Sequence, residues 1–114
     1  MRPEAEIERD WRKWRTAHSL PREIRIGEDK DKFGNIVEEV FISEDAGSMG
    51  DYVKLIQLIV DDDGSDPWLR FTYYRKATPR SRWIFAGQWS LMASVGETER
   101  LLDLARKAGF FARR

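Results

Sequence analysis

The segment Ser48-Met49-Gly50-Asp51-Tyr52-Val53-Lys54-Leu55-Ile56-Gln57-Leu58-Ile59-Val60-Asp61 admits two readings, and the choice between them sets the fold. Projected at about 100° per residue, Tyr52, Val53, Leu55, Ile56, Ile59 and Val60 share one broad side, while Lys54, Gln57 and Asp61 fall opposite, the partition of an amphipathic helix. Ser48 with Asp51 three residues later has the form of an N-terminal capping box. A continuously buried strand is the rival, favoured by the isoleucines and valines. The cleaner partition predicts a helix over residues 49–61. It should end near Val60, because Asp61-Asp62-Asp63 would add negative charge to an already negative helix C-terminus.

Working outward, Arg22 to Gly27 alternates with Ile24 and Ile26 on one side, and Ile36 to Ser43 is rich in β-formers, so a hairpin is expected with residues 28–35 as its polar connection. Ahead of it, Ile7, Trp11 and Trp14 recur at helical spacing, with glutamates early and arginines late, in the order that suits the helix dipole. This helix should stop before Pro21. Downstream, Trp68 to Arg75 and Arg82 to Gln88 flank the turn-like Lys76-Ala77-Thr78-Pro79-Arg80-Ser81 and predict a second hairpin. Ser94-Val95-Gly96-Glu97 is a capping box opening a last helix whose stripe is Leu101, Leu104, Ala105 and Ala108, with Gly109 as a left-handed cap. Phe110 or Phe111 should fold back onto that helix, and Arg113 and Arg114 read as a mobile tail. The expectation is an α+β domain: a four-stranded antiparallel sheet in the order α-ββα-ββα, with helices packed on the sheet. At 114 residues a single domain, 1–114, is expected, with residues 1–20 as N-terminal helix and linker and 110–114 as a mobile tail.

The 20 acidic residues are distributed unevenly: none lies between Pro67 and Gly96, a stretch that holds Arg70, Arg75, Lys76, Arg80 and Arg82. Half of the 14 aromatic residues lie there too. Cations interleaved with flat rings suit a partner carrying phosphates and bases. Alternation in the first strand places Leu69, Phe71 and Tyr73 on one side, expected to be core, and Trp68, Arg70, Thr72 and Tyr74 on the other, expected to be the binding face. Arg70, Tyr74, Arg75 and Arg82 are the first candidates for nucleic-acid contact, with Tyr73, Trp83 and Trp89 as stacking rings.

Trp68-Leu69-Arg70-Phe71-Thr72-Tyr73-Tyr74-Arg75, with the later Trp83-Ile84-Phe85-Ala86-Gly87-Gln88-Trp89, resembles the core of the ThermoDBP group, small archaeal proteins that bind single-stranded DNA. That resemblance implies a DNA cleft lined by aromatic and basic side chains, and a homo-oligomer. The excess of arginine over lysine, 14 to 6, fits a thermophile.

Composition removes several alternatives. With no cysteine there is no disulfide framework, thiol nucleophile or thiolate zinc site, a pattern compatible with a cytoplasmic protein. No run of about 18 apolar residues predicts a membrane span. One histidine and no phosphate loop, nucleophile elbow or zinc-protease motif leave little for catalysis. Glu38 and Glu39 are adjacent, so in a strand they point to opposite faces and cannot share acid-base work. The acidic clusters around Asp29 and Asp62 lack calcium-loop spacing, and no metal or cofactor is expected. The sequence therefore predicts a non-enzymatic domain that binds single-stranded nucleic acid, DNA ahead of RNA. The alternative is an oligomeric protein-interaction module using the same aromatic and arginine surface.

Overall fold

The computed structural model describes residues 3–26, 28, 31–45, 50–63, 67–86 and 92–112, without the side chains of Ile26 and Asp45. Helix α1 (Glu4–Ala17) is followed by strands β1 (Arg22–Ile26), β2 (Asp31–Asp45), β3 (Asp51–Val60), β4 (Trp68–Lys76) and β5 (Ile84–Phe85), then by helix α2 (Val95–Lys107) and a 3-10 turn at Phe110–Ala112. The strands form one curled antiparallel sheet in the order β1-β2-β3-β4-β5. The α+β class holds, but the sheet has five strands instead of four, and the order is one helix, five strands, one helix.

The difference lies in the segment expected to be a helix, which is the central strand. All ten residues of β3 are buried or half-buried, because α1 packs on one face of the sheet and α2 on the other. A strand covered on both faces loses the two-residue alternation that usually betrays it, and its β-branched content then decides. Lys54 and Gln57, the supposed polar side, point to opposite faces and find partners inside the protein: Lys54 in Glu44 and Glu97, Gln57 in Glu39 and Arg70. Gly50 enters the strand at φ 94°, where an added Cβ would lie 2.3 Å from the Lys76 carbonyl oxygen. That left-handed residue is a chain reversal and not a first helical turn. Ser48 and Met49 of the expected capping box lie outside the described residues.

The first hairpin is present with a shorter connection, since Lys32 to Asn35, expected in the loop, belong to β2. In the second hairpin, the turn after Lys76 closes through the Ser81 N–H donating to the Thr78 carbonyl at 3.0 Å, and β5 pairs with Tyr74 and Arg75 alone. Gly87 and Gln88, the expected end of that arm, are outside the described residues.

On the α1 face, Ile7 and Trp11 are essentially inaccessible against Val53, Leu55, Tyr74 and Trp83, with Trp14 and Phe41 alongside. On the α2 face, Leu101, Ala105 and Phe110 pack onto Ile42, Ile56 and Leu58. Beyond the end of α1, Ile24, Ile36 and Ile59 are covered by Leu20 and Phe33. The capping box of α2 forms in both directions: the Glu97 N–H donates to the Ser94 hydroxyl at 3.0 Å and the Ser94 N–H to the Glu97 carboxylate at 2.9 Å. Gly109 has φ 82°, and Phe110, not Phe111, turns back into the core.

Glu97 has a second task. The Lys54 ammonium donates to both its oxygens at 3.0 Å and to Glu44 at 3.3 Å, which pins the start of α2 to β3. Burial pushes the Glu97 carboxyl up, but its hydrogen bonds with Glu44, the Ser94 N–H and Lys54, and the charge of Lys54, outweigh this and hold it down at about 2. Glu44 is raised, first by sharing a hydrogen bond with Glu97 and then by burial, so the two titrate as a pair with Glu44 taking the first proton. A depressed carboxyl contributes stability that is present above its unfolded pKa and lost as pH falls through the folded one. The Glu97 contribution is therefore expected to fade between about pH 4.5 and 2. Urea midpoints taken at pH 7 and pH 3 should differ less in Glu97→Gln than in the parent protein.

Candidate nucleic-acid interface

The register of β4 on β3 fixes which side chains share a face. Val53 pairs with Tyr74, Leu55 with Thr72, Gln57 with Arg70 and Ile59 with Trp68, so the even-numbered residues of β4 lie on the α1 side. The opposite set, Leu69, Phe71, Tyr73 and Arg75, lies on the α2 side. The expected division of core and surface holds at Leu69, which packs against the α2-side core, and at exposed Trp68, but fails at Phe71, Thr72 and Tyr74. Thr72 and Tyr74 are buried, whereas Phe71 is 47% exposed. The cause is where the helices land: the Trp11 ring draws Tyr74 inward, and α2 packs over β2 and β3, leaving Phe71 beyond its cover.

The candidates named from the sequence consequently separate. Tyr74 is wedged among Trp11, Trp14 and Phe85 with ring centroids 5.0 to 5.3 Å apart. Trp83 is also buried, edge-on to Trp11 at 5.5 Å, with the Lys76 ammonium 5.6 Å from its centroid. Both rings are core, with neighbours already where a base would stack. Tyr73 is half-buried, edge-on to Tyr52, and Arg75 and Arg82 are exposed. Trp89 lies outside the described residues.

The rings that do reach solvent along β4 and β5 are Trp68, 57% exposed, Phe71, and Phe85, 42% exposed, with Ile84 beside them. Arg70 stands on the same face as Trp68 and Phe85, its guanidinium carbon 4.7 Å from the Phe85 ring centroid, a stacked cation-π contact. Its Nε donates to the Gln57 side-chain oxygen at 2.9 Å, and the Gln57 amide donates to Glu39 at 2.9 Å. Glu39 also receives Arg15 in a two-pronged pair at 2.6 and 3.1 Å. Glu39, Gln57 and Arg70 thus form one polar row across β2, β3 and β4, anchored to α1 through Arg15. The two Nη groups of Arg70 have no hydrogen-bond partner among the described residues. Burial pushes its pKa down, and Tyr74 and Glu39 act against that.

Arg9, Lys13, Arg22 and Lys107 make no ion pair among the described residues, but unpaired cations are densest in the same region. Elsewhere Arg12 pairs with Glu8, Arg15 with Glu39, Lys32 with Asp62, and Lys54 with Glu44 and Glu97. In the acid-free stretch Lys76 reaches back to Asp10, but Arg70, Arg75, Arg80 and Arg82 make no ion pair among the described residues. Arg70 beside Trp68 and Phe85 on one face, Arg75 and Phe71 on the other, and Arg80 and Arg82 exposed on the turn that follows β4 give this sheet margin positive potential and stacking planes.

A cleft of about 560 Å³ lies elsewhere, between α1 and β2, lined by Trp11, Arg12, Arg15, Leu20 and Phe41 among others. Both its arginines are already occupied by Glu8 and Glu39, so it does not call for an anion. Glu38 and Glu39 sit opposite Leu58 and Gln57 and so face opposite sides of the sheet. No metal-holding group of histidine and carboxylates occurs among the described residues, and no described helix is long and apolar enough to cross a membrane.

No protein-family model, curated protein or solved structure matches the chain. The site must accordingly be read from its own chemistry.

Reasoning from sequence missed Phe85 as the platform for Arg70, and missed the Glu39-Gln57-Arg70 row altogether. The available signal was Gln57, one amide inside an apolar run, which as a strand residue demands a buried partner.

Proposed function

We propose that this domain is a non-enzymatic binder of single-stranded nucleic acid, DNA ahead of RNA, using the outer margin of the sheet at β4 and β5. The observation that carries the reading is the acid-free β4 and β5 margin, where Arg70 and Arg75, without ion pairs among the described residues, share β4 with exposed Trp68 and Phe71 and adjoin exposed Phe85, while Arg80 and Arg82 stand exposed on the turn that follows β4. Base stacking on such rings contributes about 1–3 kcal/mol per base and tolerates sequence. Arginines on the rim neutralise phosphates and release counterions. The formal net charge of zero makes this a local patch and not a general polyanion surface.

A homo-oligomer built on the same margin is the second reading, favoured by Phe71 and Ile84, which are apolar and exposed together on the α2 side. Salt separates the two. Titration of an oligothymidylate followed by tryptophan fluorescence should show affinity falling steeply between about 50 and 200 mM salt. The variant carrying Arg75→Ala, Arg80→Ala and Arg82→Ala should lose at least tenfold in affinity at low salt and flatten the log-log slope by about 2, at roughly 0.7 for each phosphate no longer neutralised. Absence of binding at low salt would refute nucleic-acid recognition. Self-association that ignores salt would favour the oligomer alone.

A further inference from the structure

Arg70 differs from the three other unpaired arginines of the acid-free stretch, and the difference bears on what it reads. Arg75, Arg80 and Arg82 are exposed and free to follow a flexible phosphate chain. Arg70 is half-buried, set between the more exposed rings of Trp68 and Phe85, and fixed at two points: through Nε to Gln57 and by stacking on Phe85. Gln57 cannot turn away, because it is fully buried and its amide is held by Glu39, which Arg15 grips with two hydrogen bonds. With Nε occupied, the fork left over is the end-on pair Nη1 and Nη2. A rigid, planar pair of donors matches two acceptors held a fixed distance apart in one plane.

Phosphate oxygens and the O6 and N7 edge of guanine both offer such a pair. The half-buried position of Arg70 favours the base: the face of Phe85 beneath Arg70 is taken, but a nucleobase stacked on Trp68, which Phe33 meets edge-on, brings its edge toward the Arg70 fork, whereas the sugar-phosphate chain stays outside with the exposed arginines. Adenine presents a donor beside its N7 and thymine has no two adjacent acceptors, so neither satisfies both Nη groups; cytosine does so only through N3 and O2, on the edge nearer its sugar, whereas guanine offers O6 and N7 on the edge away from the chain. Building on the proposed nucleic-acid function, we propose that Arg70 is a specificity-determining residue, and that the Trp68-Arg70-Phe85 recess gives this domain a preference for a guanine within a single strand.

The test uses the full chain and short oligothymidylates in which one central position is thymine, guanine, adenine, cytosine or 7-deazaguanine, a single guanine being too few for quadruplexes. The guanine strand should bind roughly tenfold more tightly than the thymine strand, and 7-deazaguanine, which lacks the N7 acceptor, should lose most of that gain. Arg70→Lys, which keeps the charge but not the fork, should bind the guanine and thymine strands with equal affinity whatever its overall loss, with its thermal midpoint confirming that it is folded. Equal affinity for all five strands, or a cytosine strand that matches the guanine strand, would overturn the guanine assignment and leave the proposed function standing. A preference that survives 7-deazaguanine substitution or Arg70→Lys would likewise overturn it. If no strand binds at low salt, both the assignment and the function beneath it fall.

Discussion

Trp11→Ala is expected to cost about 3–5 kcal/mol of folding stability, as fully buried large aromatics do when truncated. Trp11 is 1% exposed and touches four other rings: Trp14 stacked at 5.2 Å, Phe41 at 6.2 Å, Tyr74 at 5.0 Å and Trp83 edge-on at 5.5 Å. Its removal leaves a cavity where α1, β2, β4 and the segment leading into β5 meet, and no single neighbour can relax into it. Against a total of roughly 5–15 kcal/mol for a domain, the loss is a large fraction. Urea unfolding followed by far-ultraviolet circular dichroism should show a lower midpoint with a similar slope. Trp68→Ala, at an exposed ring, should move the midpoint little. Equal effects at the two tryptophans would mean that α1 does not seat on this face.

The second large effect belongs to Glu39→Ala. Arg15 and Glu39 are mostly shielded from water, with side-chain exposures of 13% and 6%. Removing the carboxylate strands the Arg15 guanidinium among Trp11, Trp14 and Tyr74, and deprives the buried Gln57 amide of its acceptor. Breaking a buried pair from one side typically costs about 3–5 kcal/mol, because the surviving charge is uncompensated. Replacing both partners with apolar residues of similar volume, Arg15→Met with Glu39→Leu, should recover most of the loss. The double variant would regain stability while leaving Gln57 free to turn, so its affinity for nucleic acid should stay below that of the parent. A double variant as unstable as Glu39→Ala would show that the pair contributes more than mutual neutralisation.

Parts of this fold are written locally and parts are not. The Ile7, Trp11 and Trp14 stripe, the Ser94 and Glu97 capping box, the left-handed Gly109 and the turn after Lys76 each depend on residues within a few positions of one another, and each is legible in the sequence. The identity of β3 is not, because coverage by a helix on each face removes the alternation, and what remains mimics a helical partition. The facing of β4 is undetermined locally for another reason. Both parities carry large apolar or aromatic side chains, Leu69, Phe71 and Tyr73 against Trp68 and Tyr74, and only the landing sites of α1 and α2 decide which are covered. The acid-free stretch identified a region of unpaired charge, but its candidate rings Tyr74 and Trp83 are core, while Trp68 and Phe85 are the rings in reach of a ligand. The polar row joins residues 18 and 13 positions apart, so no local spacing reveals it.

The most direct test of the β4 and β5 margin as the binding surface is a two-dimensional nitrogen-15 amide spectrum of the labelled protein, titrated with an unlabelled oligothymidylate at low salt. The expected result is a set of shifts concentrated at Trp68, Arg70, Phe71, Arg75, Ile84 and Phe85, together with the Arg70 Nε–H resonance, while α2 and the Lys32, Asp62 corner stay still. Shifts centred on α2 or on the cleft between α1 and β2, or none at all at oligonucleotide excess, would contradict the assignment.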